Sequence, residues 1–240
     1  MTGQTPPNTV ASEPVGRSVW LVVALGLVYS TLGAALGDRT DSSVLWWLDP
    51  LLLWGFAIGL WLRGRGILPL WKRPGRRAAA AVYVLGSWAA GMLVELSLRA
   101  GESGFGGLHP DARTSFLLAQ AFYLTYALGG WWLVRRFRLS LRGLFWVGAG
   151  AALYEGITVG AAAVAGGGVP WPFVPLLAAY YALVYAAMLC WPLLLVPEVA
   201  LWREAESPAL TGWLRPLLAG IGLSVVSYGL MVAWGSVLGV

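Results

Sequence analysis

A few polar side chains in this 240-residue chain stand where only apolar ones are cheap, and any chemistry it performs would start from them. Glu155 is the thirteenth residue of an apolar stretch at 143–165. If that stretch is a membrane-crossing helix, its carboxyl lies near the bilayer midplane, where a charge costs about 2.5–3.5 kcal/mol on insertion scales. Such a group faces the bundle interior or a wet cavity, as a proton carrier or a ligand anchor; the alternative is a structural hydrogen bond to a neighbouring Tyr or Gln. Glu95 shares one helix face with Tyr83, Ser87 and Gly91. Arg99 follows one turn later in the favourable acid-before-base order, so a surface ion pair at the outer interface is the expectation for Glu95. Asp49 precedes Pro50, a normal helix start whose carboxylate caps free N–H groups. The alternative for both acids is an outward-facing site.

Gln120 and Tyr123 share a face of one apolar stretch, and Tyr181 and Tyr185 share a face of another. Tyr126, Tyr180, Ser224, Ser227 and Tyr228 are further polar groups in such stretches. Together with Glu155 they are expected to line an outward-opening polar cavity. The candidate ligand-binding or proton-carrying set is Glu155, Gln120, Tyr123, Tyr181 and Glu95.

Familiar catalytic patterns are missing. The single histidine, His109, cannot supply the two imidazoles of an H-E-x-x-H zinc site, no Ser sits in G-x-S-x-G, and no glycine-rich phosphate loop is present. The only lysine, Lys72, lies in a loop, which excludes a retinal Schiff base. Asp38 and Asp41 form D-x-x-D, which resembles a metal–diphosphate motif of membrane prenyltransferases, but no second acidic motif accompanies it. Neither a metal site nor a cofactor is expected, and no catalytic residue is assigned.

These side chains are carried by an all-α, polytopic transmembrane bundle. The chain is 58% hydrophobic and 11% charged, whereas a soluble domain would be about a quarter charged. Seven stretches reach the roughly 20 residues needed to span a bilayer: 19–36, 44–62, 78–98, 114–134, 143–165, 173–195 and 217–238. A spanning segment must satisfy its own backbone, and no alternating barrel-strand pattern occurs, so all seven are read as helices. Residues 1–17 are polar and proline-containing and read as a disordered cytoplasmic tail, leaving 18–240 as one transmembrane domain. Arg17 before an apolar run leaves a cleaved signal peptide as the alternative for the first span.

Loop charge orients the bundle. One loop carries Arg63, Arg65, Lys72, Arg73, Arg76 and Arg77, another carries Arg135, Arg136, Arg138 and Arg142, and neither contains an acid. Short basic loops stay cytoplasmic, which puts the N-terminus inside and the C-terminus outside. Only Arg39, Arg99 and Arg113 of the 16 basic residues then fall outside. The net charge of +5 thus has a membrane explanation and is not a nucleic-acid footprint. All of the 15 tryptophans except Trp54 and Trp88 lie near a predicted helix end, where headgroups favour amphipathic rings. The apolar segment 66–71 is expected to rest on the inner membrane surface. The bias of arginine over lysine fits a GC-rich genome, and the expected location is the inner membrane of a bacterium.

Small residues predict the packing. Gly148, Ala152, Gly156 and Gly160 form a stripe that marks the fifth stretch as a central helix, and Gly55–Gly59 and Gly33–Gly37 repeat the spacing. Pro172 suits a first helical turn, while Pro192 is expected to kink the sixth span. The resulting expectation is binding or transport of a small or lipid-like ligand within the bundle. The alternatives are a non-catalytic assembly or regulatory subunit that contacts a membrane protein or a second copy through its small-residue faces and, ranked last, a carboxylate-dependent intramembrane enzyme.

Overall fold

A computed structural model of the chain describes residues 15–36, 47–100, 111–157, 166, 170–202 and 212–239. Most of the polar tail, the Asp38–Asp41 pair, His109 and Gly160 lie outside the described residues. Of the described residues, 85% are helical and none is in a strand. Seven α-helices are described: α1 (Arg17–Leu36), α2 (Leu48–Gly64), α3 (Arg76–Ala100), α4 (Ala112–Phe137), α5 (Leu141–Glu155), α6 (Val174–Cys190) and α7 (Leu214–Leu238).

Among the described residues, five helical segments are long and apolar enough to cross a membrane: Arg17–Ala35, Arg76–Ser97, Arg113–Phe137, Trp171–Leu194 and Leu214–Leu238. This marks the chain as a membrane protein. The 17 residues of α2 and the 15 of α5 rise about 26 and 22 Å, short of a hydrocarbon core of about 30 Å. At its end α5 passes into a π-type turn at Gly156 and Ile157, and most of the rest of the stretch expected to reach 165 lies outside the described residues.

The centre of the bundle is α5, packed between α6 and α7. Absent side chains make this possible. A Cβ at Gly148 would strike the α6 backbone at Ala186, one at Gly150 the α7 backbone at Leu217, and one at Gly220 of α7 the α5 carbonyl of Val147. In an apolar solvent such close approach is what holds helices together. Ser224 of α7 then donates to the Ala151 carbonyl at 3.2 Å. The expected stripe is only partly used, since Gly156 meets nothing within 4 Å, and Gly33 of the α1 pair likewise faces open space. Around this core, α1 lies on α6, and α4 packs on both α3 and α7.

Several ends follow local chemistry. Asp111 caps α4 through Thr114 N (2.7 Å), and Ser140 caps α5 through Gly143 N (3.3 Å). Asp49, expected to cap α2, does not: no side chain caps that helix, and Asp49 is buried within its first turn. Pro172 sits in the 3-10 turn Trp171–Phe173 that leads into α6, as expected of a first-turn proline. Pro192 lies where the helix type changes: α6 runs to Cys190 and continues as the 3-10 turn Trp191–Leu194. A proline without an N–H fits the start of that tighter turn. The loop after α2 leaves Ile67 and Leu70 exposed and is pinned by Trp71 N to the Leu195 carbonyl at 2.9 Å.

Candidate functional site

The polar contacts begin on the α3–α4 seam. Tyr83, Ser87, Gly91 and Glu95 form a buried face of α3, as their spacing predicts. Because Gly91 lacks a Cβ, the Tyr123 ring of α4 sits close against α3; a Cβ there would come within 2.8 Å of the ring Cγ. The Tyr123 hydroxyl then donates to Glu95 Oε2 at 3.2 Å. Glu95 is 0% exposed, so it lies inside the bundle and not at its surface as expected. The Arg99 side chain lies outside the described residues.

One turn before Tyr123, Gln120 bridges the same two helices. Its Oε1 accepts from Trp88 Nε1 at 2.8 Å, and its Nε2 donates to Met92 Sδ at 3.2 Å. This explains a tryptophan away from a predicted helix end, since an indole N–H inside a bundle must find an acceptor. The other exception, Trp54, donates to Thr31 Oγ1 at 3.1 Å.

Glu155, at the end of α5, joins the same cluster. Its carboxyl is partly buried and hydrogen-bonded to Tyr185 of α6, which in turn bonds Tyr228 of α7. Tyr123 lies within electrostatic range of both Glu95 and Glu155, and Tyr181 within range of Glu155. Phe122 is the hub that spaces these rings, with centroids 5.2 Å from Tyr123, 5.9 Å from Tyr126 and 4.8 Å from Tyr228. Tyr126 and Tyr185 meet edge to face at 5.5 Å. Tyr123, Tyr185 and Tyr228 lie well inside their helices, whereas Glu155 is the last residue of α5.

The five candidates therefore divide. Glu155, Tyr123, Tyr181 and Glu95 gather around one tyrosine cluster, while Gln120 supports it from the α3–α4 seam. Tyr123 and Glu95 are closed in by aromatic rings and a neighbouring helix. A groove of about 720 Å³ opens elsewhere, between the antiparallel α1 and α2, lined by Trp20, Ala24, Val28, Thr31, Trp54 and Trp61, among others. None of the five candidates lines it. At its α2 end the Arg65 guanidinium lies 4.0 Å over the Trp61 ring.

Two constellations escape a reading of the residues alone. Arg63, counted above as a loop cation, is buried in the last turn of α2, where it pairs with buried Glu198 and donates to the Leu193 carbonyl at 2.6 Å. Asp49 gathers hydroxyls from three other helices: Ser30 Oγ donates to Oδ2 at 2.8 Å, the Asp49 N–H donates to Ser97 Oγ at 3.1 Å, and the Tyr180 hydroxyl is a further hydrogen-bonding neighbour. The one available signal was an acid within an apolar stretch beside Pro50; nothing in the spacing points to Ser30 or Ser97. Among the described residues, no group of three His, Cys, Asp or Glu side chains is arranged to hold a metal ion.

No protein-family model, curated protein or solved structure matches this chain.

Proposed function

We propose that this protein binds or moves a small or lipid-like ligand inside its helical bundle, with Glu155 as the anchoring or proton-carrying group. The observation that carries this is the convergence of two carboxylates, from α3 and from the end of α5, on one tyrosine cluster among apolar helices. Structural hydrogen bonding alone would be served more cheaply by Gln or Ser, because a carboxyl in this setting carries the cost of its ionisable group. Glu155, Gln120, Tyr123, Tyr181 and Glu95 are the proposed contact or proton-handling residues. The membrane arrangement we propose has seven spans, with residues 18–240 as one transmembrane domain after a polar tail, the N-terminus inside and the C-terminus outside, in a bacterial inner membrane. The basic loops around Lys72 and Arg138 support that orientation.

The test is a thermal-stability screen of metabolites and lipids on purified protein in mild detergent, run in parallel on Glu155→Gln. A ligand that raises the melting temperature of the wild type, and not that of a folded Glu155→Gln, supports the reading. Equal stabilisation of both proteins would remove Glu155 from the site.

The apolar groove between α1 and α2 favours a second reading, an assembly or regulatory subunit that seats a partner's membrane helix there. That reading predicts a co-purifying protein that is lost on Ala24→Trp and retained on Glu155→Gln.

A further inference from the structure

Asp49 is 6% exposed, and its two carboxylate oxygens are treated differently. Oδ2 accepts from Ser30, whereas Oδ1 makes no hydrogen bond among the described residues. Among the described residues no Arg, Lys or His forms an ion pair with it; the one ion pair there joins Arg63 to Glu198. A buried carboxylate needs its charge answered.

The surroundings supply oxygen atoms instead. Ser30 of α1 and Tyr180 of α6 bring hydroxyls to this carboxylate, and Ser97 of α3 holds its hydroxyl oxygen on the Asp49 backbone N–H beside it, so four helices meet at one oxygen-rich point in an apolar bundle. Hydroxyl and carboxylate oxygens are ligands for hard cations. A single carboxylate neutralises one charge, which suits a monovalent ion over Ca²⁺ or Mg²⁺, whose sites use more anionic oxygens or retained water. We infer that Asp49, with Ser30, Ser97 and Tyr180, binds a monovalent hard cation of the Na⁺ class. The site is separate from the Glu155 cluster: adjacent residues of α6 serve the two, with Tyr180 at Asp49 and Tyr181 near Glu155. The inference does not depend on the ligand-binding reading above.

The experiment uses the full chain in lipid nanodiscs, with NaCl titrated against choline chloride at constant ionic strength and thermal unfolding as the readout. A ligand held only by the folded state raises the unfolding temperature as its site fills. The expected result is a saturable rise of several degrees with Na⁺, none with choline, and no Na⁺ response in Asp49→Asn. Should Asp49→Asn fail to fold, Ser30→Ala is read instead, and its half-saturating Na⁺ concentration is expected to rise about tenfold, the equivalent of one ligand worth about 1.4 kcal/mol. The inference is overturned if the wild type unfolds at the same temperature in both salts, or responds to pH and not to Na⁺. It is also overturned if folded Asp49→Asn keeps the Na⁺ response or, where Ser30→Ala is read, if the half-saturating concentration is unchanged.

Discussion

Tyr123 crosses from α4 to donate a 3.2 Å hydrogen bond to Glu95, a glutamate with no exposure to the surroundings of the bundle. The contact depends on a glycine one turn away, because the phenol ring occupies the space where a side chain at position 91 would stand. The same tyrosine is within electrostatic reach of Glu155, so one aromatic side chain links two acids carried by helices that do not adjoin in sequence.

Removing the hydroxyl tests the worth of that link. Tyr123→Phe keeps the ring against Gly91 and takes a donor from a buried carboxyl, which costs about 1–3 kcal/mol. Thermal or denaturant unfolding in detergent should show the loss. A variant as stable as the wild type would mean that the bond contributes nothing.

Position 91 gives a paired steric test. Gly91→Ala forces the Tyr123 ring off α3 and is expected to destabilise by about 1–3 kcal/mol, as overpacking does. Gly33→Ala meets nothing within 4 Å, and alanine's helix propensity makes it neutral or stabilising by up to about 1 kcal/mol. If both behave alike, the close α3–α4 approach is not what the glycine serves.

The buried pair of Arg63 on α2 and Glu198 after α6 predicts an asymmetry between single and double variants. Arg63→Ala strands Glu198 in a buried setting and should cost about 3–5 kcal/mol. Arg63→Met combined with Glu198→Leu removes both charges and should recover most of that loss. A double variant as unstable as Arg63→Ala would show that the Arg63 bond to the Leu193 carbonyl matters more than the ion pair.

Sidedness is open to labelling. In a Cys190→Ser background, which removes the one buried thiol, a cysteine at Lys72 or Arg138 should react with an impermeant reagent only from the cytoplasmic side. One at Gly166 or Trp171 should react only from the other side. Four positions labelled from a single side would overturn the seven-span arrangement.

Much of the architecture was legible because a helix in lipid must look apolar along its length, and α1 through α7 each coincide with a stretch rich in apolar residues. Faces within one helix were legible too. The four-residue spacing of Tyr83, Ser87, Gly91 and Glu95 announced a shared side of α3, and that side is buried. Glu155 was conspicuous by type alone, an acid among apolar residues.

What opposes each face was not legible. Periodicity says that Gln120 and Tyr123 point the same way, not that Trp88, Met92 and Glu95 await them. Arg63 carries the residue type of an orienting loop charge, and only the path of the chain after α6 brings Glu198 to it. Ser30 and Ser97 are ordinary serines until four helices converge on Asp49. Sequence determined that the chain forms apolar helices with a few misplaced polar groups, since those properties are local to each segment. Tertiary structure decided which polar groups meet, because that depends on which helices come close, and α5 comes close to α6 and α7 where Gly148, Gly150 and Gly220 leave the backbones room.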